Sequence, residues 1–235
     1  MRKYKSIFIV LFCMVSLTSF AQEQPKTEQE MLKKHFRMKY VFGMKYNDVA
    51  VAKNAMYDLI ALEPMNDSLK LNLAYLYFDN SQFASALFIA SDIISRNPNN
   101  VTALYMQAAS YDNLGVKDKA ISAYESLYFK DNNNVEHLYR VMVLQYQIGR
   151  FNEAKNNSDI IIKAPESEEI KMQFAKNENE NQEISMRAAA YNIKGMIEKE
   201  QGNKIEAEKN FNMALELQPE FALAKQNLED LKNEE

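Results

Sequence analysis

Cysteine and histidine are scarce in this chain, and tryptophan is absent. Cys13 is the one cysteine, and the two histidines, His35 and His137, stand far apart in the sequence. A zinc site needs several converging ligands, so no metal site is expected, and a single cysteine cannot form an intramolecular disulfide. The sequence carries no pattern typical of a catalytic site, and we expect neither enzyme activity nor a cofactor.

Glycine and proline are also scarce, with five residues of each. A many-turned all-β protein needs more of both, whereas the Met, Leu, Ala, Glu, Lys and Gln of this chain are good helix formers. The glycines are isolated, so the sequence has no glycine-rich phosphate-binding loop. The formal net charge is −4, without the basic excess of nucleic-acid binders, and no nucleic-acid partner is expected.

The N-terminus has the features of an export signal. Basic residues within the first five positions precede an apolar run over 7–17, and residues 19–21 (SFA) fit a cleavage site. We predict a signal peptide over 1–21 and an exported protein, periplasmic if the host is bacterial. Two alternatives stay open, an uncleaved membrane anchor and lipid attachment at Cys13. Cleavage would leave no cysteine, so that packing alone would stabilise the exported chain.

One six-residue pattern returns along the rest of the chain. Its first four copies are equally spaced, and the fifth follows after a longer gap, which predicts an insertion in an otherwise regular repeat. The copies are NDVAVA from Asn47, SQFASA from Ser81, GVKDKA from Gly115, GRFNEA from Gly149 and GNKIEA from Gly202. When each hexapeptide is placed at the middle of its unit, five units of equal length result. They are 33–66, 67–100, 101–134, 135–168 and 188–221.

Each unit predicts two antiparallel helices. Leu104, Ala108 and Tyr111 recur at i, i+4 and i+7, which is the spacing of one helix face, and the same spacing follows the hexapeptide. The first residue of the hexapeptide allows a turn, and prolines near the ends of units stop the second helix. The hexapeptide ends in a small residue where the two helices must approach closely. These residues are Ala52, Ala86, Ala120, Ala154 and Ala207.

The residues at equivalent positions of the five units resemble the pattern of the tetratricopeptide repeat family, whose period is about 34 residues. The last unit carries most of the family pattern, through Tyr191, Gly195, Ala207, Phe211, Ala214 and Pro219. The first unit matches least, with Lys39 and Gly43 where apolar residues are expected. The resemblance implies an all-α, right-handed superhelical solenoid of antiparallel helix pairs, in which each pair stacks on its neighbours.

The repeat also predicts the organisation of the chain. The parts are a signal peptide 1–21, a polar lead-in 22–32, four helix pairs over 33–168, an insertion 169–187, a fifth pair 188–221, and a capping helix and tail 222–235. Ile170 and Phe174 lie at helical spacing, which predicts a short helix in the insertion or a backward extension of the next helix. The insertion is either a partner-specific protrusion or a solvated spacer.

The resemblance further implies a binding surface. In the family, peptides bind the concave face through fixed positions of the first helix of each unit. On this chain the predicted groove residues are Arg37, Leu71, Tyr75, Phe78, Tyr105, Asn113, Tyr139 and Tyr146. The groove is rich in tyrosine and phenylalanine, and interfaces favour such aromatic rings. The alternative is that some of these rings pack between units.

The sequence therefore predicts a non-catalytic protein-interaction module in the periplasm. Its partner would be a peptide segment or a helix of an envelope protein, held in the concave groove. The alternative is a structural component of an envelope assembly, secretion or cell-wall machine, with peripheral association with envelope complexes left open. An enzyme or a carbohydrate binder on the same scaffold would need a convergent polar cluster. The identity of the partner and the oligomeric state are not encoded in any motif.

Overall fold

The computed structural model describes residues 28–233, which form eleven α-helices and a two-stranded antiparallel sheet. The helices are α1 (28–45), α2 (Val49–Leu62), α3 (Asp67–Asp79), α4 (Phe83–Arg96), α5 (Val101–Asn113), α6 (Lys117–Lys130), α7 (Val135–Gln147), α8 (Phe151–Lys163), α9 (Met186–Glu200), α10 (Lys204–Leu217) and α11 (Ala222–Asn233). A 3-10 turn (Pro165–Glu168) and strands β1 (Lys171–Asn177) and β2 (Glu180–Ser185) lie between α8 and α9. The predicted signal peptide lies outside the described residues.

The helices follow one another in antiparallel pairs, as the repeat predicts. The chain also divides into two compact structural units, which are larger than the five sequence repeats. The first unit ends at Ile89 and the second begins at Ala90, so the boundary falls within α4. The first unit has a core between α2 and α3, built on residues such as Met56 and Leu73. The second unit has one core shared by α5, α6 and α7 and another that joins α7, α8, α9 and α11. Within 28–233, no helix has both the length and the hydropathy of a membrane span.

The turn between the helices of each pair has the same backbone conformation in all five repeats. The first residue of each hexapeptide has a positive φ, between 56° and 78°, and these residues are Asn47, Ser81, Gly115, Gly149 and Gly202. The next residue donates its main-chain N–H to a carbonyl in the last turn of the preceding helix, as Arg150 does to Gln145 over 2.9 Å. Such a left-handed residue with this hydrogen bond ends a helix, which explains the preference for glycine at this position.

The alanine that ends each hexapeptide is fully buried in all five repeats, which confirms that the helices of a pair approach closely there. Gly43 in the first repeat has a related role. A Cβ atom on Gly43 would lie 2.7 Å from the main-chain nitrogen of Ala52, which is closer than atoms can approach. Gly43, which stands where the family pattern has an apolar residue, therefore permits close contact between α1 and α2.

Asparagine side chains begin three of the helices that open a repeat. Asn66, Asn100 and Asn134 are the last residues of the first three repeats, and their Oδ1 atoms accept hydrogen bonds from main-chain N–H groups in the first turns of α3, α5 and α7. The side chain of Ser185 does the same for α9. Such caps satisfy N–H groups that have no partner within the helix. The prolines near these positions predicted the helix ends, whereas the capping role of the asparagines was not predicted.

The insertion is a β-hairpin, so the predicted helix through Ile170 and Phe174 is wrong. Met172 pairs with Ile184 and Phe174 with Gln182. Met172 and Phe174 are half-buried, whereas the residues between and beside them are exposed. Apolar side chains at every second position share one face of a strand, and this alternation accounts for the observed structure better than the helical spacing.

The inner face of the hairpin packs on the C-terminal part of the second unit. The rings of Phe174 and Phe221 meet edge to face, with centroids 5.1 Å apart. Beyond Phe221, α11 covers the last helix pair as the predicted capping helix, and its Leu231 joins a buried cluster with Phe211 and Ala207. The insertion and the cap therefore support each other.

Candidate protein-interaction groove

The eight predicted groove residues are divided between the two units. In the first unit, Arg37 on α1 is exposed, Leu71 on α3 is half-buried, and Tyr75 is 40% exposed. The ring of Phe78 is half-buried and packs edge to face on Phe83, with centroids 5.1 Å apart. Tyr75 is thus the member of this group that offers an aromatic ring to solvent, whereas Phe78 is partly used in packing.

In the second unit the structure brings two of the predicted residues to one cavity. Tyr105 on α5 and Tyr139 on α7 line a cavity of 350 Å³, together with Arg140 of α7 and residues 170–173 at the start of the hairpin. Because α5 and α7 are the first helices of successive repeats, this cavity lies where the family resemblance places a peptide. Its hairpin wall is not part of that pattern.

The two tyrosines contribute differently to this cavity. Tyr105 is 46% exposed, whereas Tyr139 is 5% exposed and belongs to a core cluster with Ile184 and Met186. Burial raises the pKa of the Tyr139 hydroxyl, since the charged form loses its hydration. Tyr139 therefore forms the base of the cavity, and Tyr105 is the ring that a bound molecule can cover.

Asn113 and Tyr146 lie apart from this cavity, near the C-terminal ends of α5 and α7. Asn113 is exposed and donates from its side-chain amide to the carbonyl of Ala109 over 2.8 Å. Tyr146 is half-buried, and its ring centroid lies 5.9 Å from that of Phe151. Burial raises the pKa of Tyr146. This ring is therefore used mainly in packing within its own helix pair.

Charged side chains surround the cavity, and one ion pair joins its two helices. Arg140 donates to Asp112 over 2.9 Å, which ties α7 to α5 beside Tyr105. Burial opposes the charge of Arg140, but Tyr124 and Asp112 hold its pKa above the ordinary value. Elsewhere on the rim, Glu136 is exposed.

His137, also at the cavity, is held by Asp131, with 2.8 Å between its Nε2 atom and the carboxylate. Hydrogen bonds from His137 and Asn134 lower the pKa of Asp131. This histidine therefore packs and orders the loop before α7. In the part of the chain that the structure describes, no group of three or more His, Cys, Asp or Glu side chains converges as metal ligands would.

Comparison with known proteins identifies the repeat. Residues 188–221 match the family model described as tetratricopeptide repeat, with the same bounds as the fifth predicted repeat. Among solved structures, a tetratricopeptide repeat protein from Parabacteroides merdae superposes with a TM-score of 0.66 at 22% identity, covering 86% of this chain and 72% of that one. No curated protein sequence matches the chain.

Two further structures share the fold. MamA has a TM-score of 0.63 at 17% identity and covers 81% of this chain and 94% of its own. YrrB, described as a tetratricopeptide repeat protein with an unusual peptide-binding site, has a TM-score of 0.61 at 13% identity, with 80% and 87% covered. At such identities the likeness shows the fold. Residues 188–221 are thus a tetratricopeptide repeat, and the chain shares the fold of solved tetratricopeptide repeat proteins.

Proposed function

We propose that this protein is a non-catalytic interaction module that holds a peptide segment of an envelope protein in the cavity between α5, α7 and the hairpin. The fold supports a role in protein–protein interaction. The observation that carries the finer proposal is the position of Tyr105, a half-exposed ring beside a 350 Å³ cavity whose base is the buried Tyr139. An aromatic side chain at a preformed pocket is a typical binding hot spot.

Two further observations support parts of this proposal. The structurally similar YrrB is described as having a peptide-binding site, so the shared fold is compatible with a peptide ligand. The signal-like pattern over 1–21 supports export, which would make an envelope protein the partner. Arg140 and Asp112, joined across the two helices, would keep the cavity open before the peptide arrives, and such preorganisation lowers the entropic cost of binding.

Site-specific photo-crosslinking in cells tests the proposal. A photoreactive amino acid replaces Tyr105 in one variant and Phe129, an exposed ring on α6, in the matched control. We expect one dominant envelope protein to crosslink at position 105 and not at 129, and mass spectrometry of the adduct should map the contact to a short segment of that protein. Equal capture at both positions, or crosslinks only between copies of the chain, would contradict the proposal.

A further inference from the structure

The hairpin presents the edge of β1 to the cavity, beside Met186 at the start of α9. Four consecutive residues, Ile170, Lys171, Met172 and Gln173, line the cavity, whereas strand β2 does not. Successive side chains of a strand point to opposite faces of the sheet. A strand can therefore line a cavity with every residue in turn only if its edge is turned toward that cavity.

The hydrogen bonds of the hairpin show which main-chain groups this edge exposes. The N–H of Met186 donates to the carbonyl of Ile170 over 2.9 Å, and Met172 pairs with Ile184 in the same register. Hydrogen-bonded and non-bonded pairs alternate in an antiparallel ladder. The main-chain N–H and C=O groups of Lys171 and Gln173 therefore point away from β2.

Contacts with the helical scaffold hold the hairpin behind this edge. Arg187, at the start of α9, donates to the carbonyl of Ala164 over 3.0 Å and pairs with Glu168 over 2.5 Å. On the inner face, Phe174 packs against Phe221. Arg187 thus fixes the base of the inserted segment and Phe174 fixes the middle of β1 to the helical scaffold, so the edge of β1 does not need to be ordered when a ligand binds.

From these observations we propose that β1 binds the partner peptide by strand addition, with the peptide as a third strand of the hairpin sheet. The inference rests on the proposed peptide-binding function and specifies its geometry. An extended peptide supplies the main-chain donors and acceptors that Lys171 and Gln173 lack, and its side chains lie alternately toward the scaffold and toward solvent. A helical peptide has no free main-chain groups for this edge.

The side chains around the edge indicate the composition of the added strand. Side chains directly opposite each other on paired strands interact. Met172 and Met186 are apolar and lie at the cavity, which favours an apolar residue on the inner side of the peptide. Lys171 donates to the carbonyl of Glu168 over 3.2 Å and forms no ion pair with a carboxylate of residues 28–233. The proposed occupant is therefore an extended segment in which apolar residues alternate with polar ones, with an acidic residue opposite Lys171.

An N-methylation scan tests this geometry. The probe is the tightest-binding peptide selected by the full chain from a displayed library of random octapeptides, then synthesised with one N-methyl group at each position in turn. Strand addition predicts a pattern of period two. Methyl groups on the N–H groups that face β1 weaken binding about tenfold or more, and those between them have little effect.

Two protein variants complete the test. Gln173→Pro removes an outward N–H that β2 does not use, and edge strands tolerate proline at such positions. We expect it to weaken peptide binding about tenfold, with the thermal transition retained. Lys171→Glu should reverse the preference for an acidic residue in selected peptides. The N-methylation scan uses the wild-type protein and so remains decisive if Gln173→Pro does not fold.

The outcomes separate the two proposals. If Tyr105→Ala does not affect binding of the selected peptide, or if no peptide is selected, the proposed function fails and strand addition with it. If Tyr105→Ala abolishes binding but methylation shows no alternation, or the bound peptide is helical, the function holds and strand addition is overturned. Alternating sensitivity together with dependence on Tyr105 and Gln173 supports both.

Discussion

The ring of Phe211 occupies the space that a side chain on Gly195 would need. A Cβ atom added to Gly195 would lie 2.5 Å from Cε1 and 2.6 Å from Cδ1 of that ring. Phe211 is fully buried, so the ring cannot move aside without disturbing the core shared with Leu231 of the capping helix. Glycine in the middle of α9 is therefore a packing requirement of the last helix pair, and the low helix propensity of glycine is tolerated for that reason.

Gly195→Ala should therefore destabilise the protein, although alanine is the better helix former by about 1 kcal/mol. Overpacking of a filled core costs about 1–3 kcal/mol, and we expect it to outweigh the gain in propensity. Chemical denaturation of both proteins measures the difference. The double variant with Phe211→Leu should be less destabilised than the sum of the two single changes. A more stable Gly195→Ala variant would show that the ring can move at little cost.

Glycine at the inter-helix turns is required for its backbone conformation and not for packing. Two substitutions test this difference. A Cβ atom on Gly149 would meet no atom within 4 Å, and φ is +76°, so Gly149→Ala should cost about 1 kcal/mol through the backbone alone. Ser81 holds the same conformation without being glycine. Ser81→Gly should raise the free energy of unfolding, by less than about 1 kcal/mol because glycine also gains entropy in the unfolded chain. Thermal melting of both variants checks the opposite signs.

The buried alanines provide a test of the repeat frame. Ala120 is fully buried within the core of α5, α6 and α7, so Ala120→Leu should lower the free energy of unfolding by about 1–3 kcal/mol through overpacking. The matched control is Ala61→Leu, at an exposed position of α2, which should be nearly neutral. Equal stability of the Ala120→Leu variant and the wild type would contradict the frame.

The regular spacing of the hexapeptides predicts the helix pairs because every repeat has the same local chemistry. The left-handed residue and the alanine of each hexapeptide lie where the sequence pattern requires them, and the fifth repeat has the bounds of the matched family model. Such positions depend on neighbours within one repeat. They can be interpreted without knowing how distant parts of the chain meet.

The insertion and its effect on the groove were not predicted, because both depend on distant contacts. Ile170 and Phe174 fit a helix by their spacing, and Met172 between them is the signal that favours a strand. The family pattern places Tyr139 on a free surface, but this chain buries it in a cluster with Ile184 and Met186, which the insertion supplies. The hairpin wall of the cavity has no counterpart in the repeat, so no repeated position of the sequence could predict it.

Export can be tested on the protein itself. Full-length protein is produced in a bacterial host and sequenced from its N-terminus after cell fractionation. We expect the mature chain to begin at Gln22 and to be recovered in the periplasmic fraction. Ala21→Arg should block cleavage, because signal peptidases require a small residue at this position. Intact Met1 in the membrane fraction of the wild type would favour the uncleaved anchor.

Glu198 makes stability depend on pH in a predictable direction. Its carboxylate is buried in α9, where it accepts hydrogen bonds from Lys155 over 2.5 Å and from Asn203 over 2.8 Å. Burial opposes the charged form, but the two donors outweigh it and hold the pKa of Glu198 below 4.5. A depressed pKa in the folded state stabilises the protein fully above about pH 4.5, and this contribution is lost as the pH falls through the folded value.

Glu198→Gln should therefore lower the free energy of unfolding at neutral pH, by about 1–2 kcal/mol, and flatten its decrease below pH 4.5. Urea denaturation at pH 7, 5, 4 and 3 measures both effects. Glu206→Gln is the matched control, because Glu206 is exposed and pairs with Lys209 one turn away on α10, where an ion pair contributes little. If the wild type and Glu198→Gln lost stability in parallel down to pH 3, the carboxylate of Glu198 would have the same pKa in the folded and unfolded chains, and the hydrogen bonds from Lys155 and Asn203 would only offset the cost of its burial.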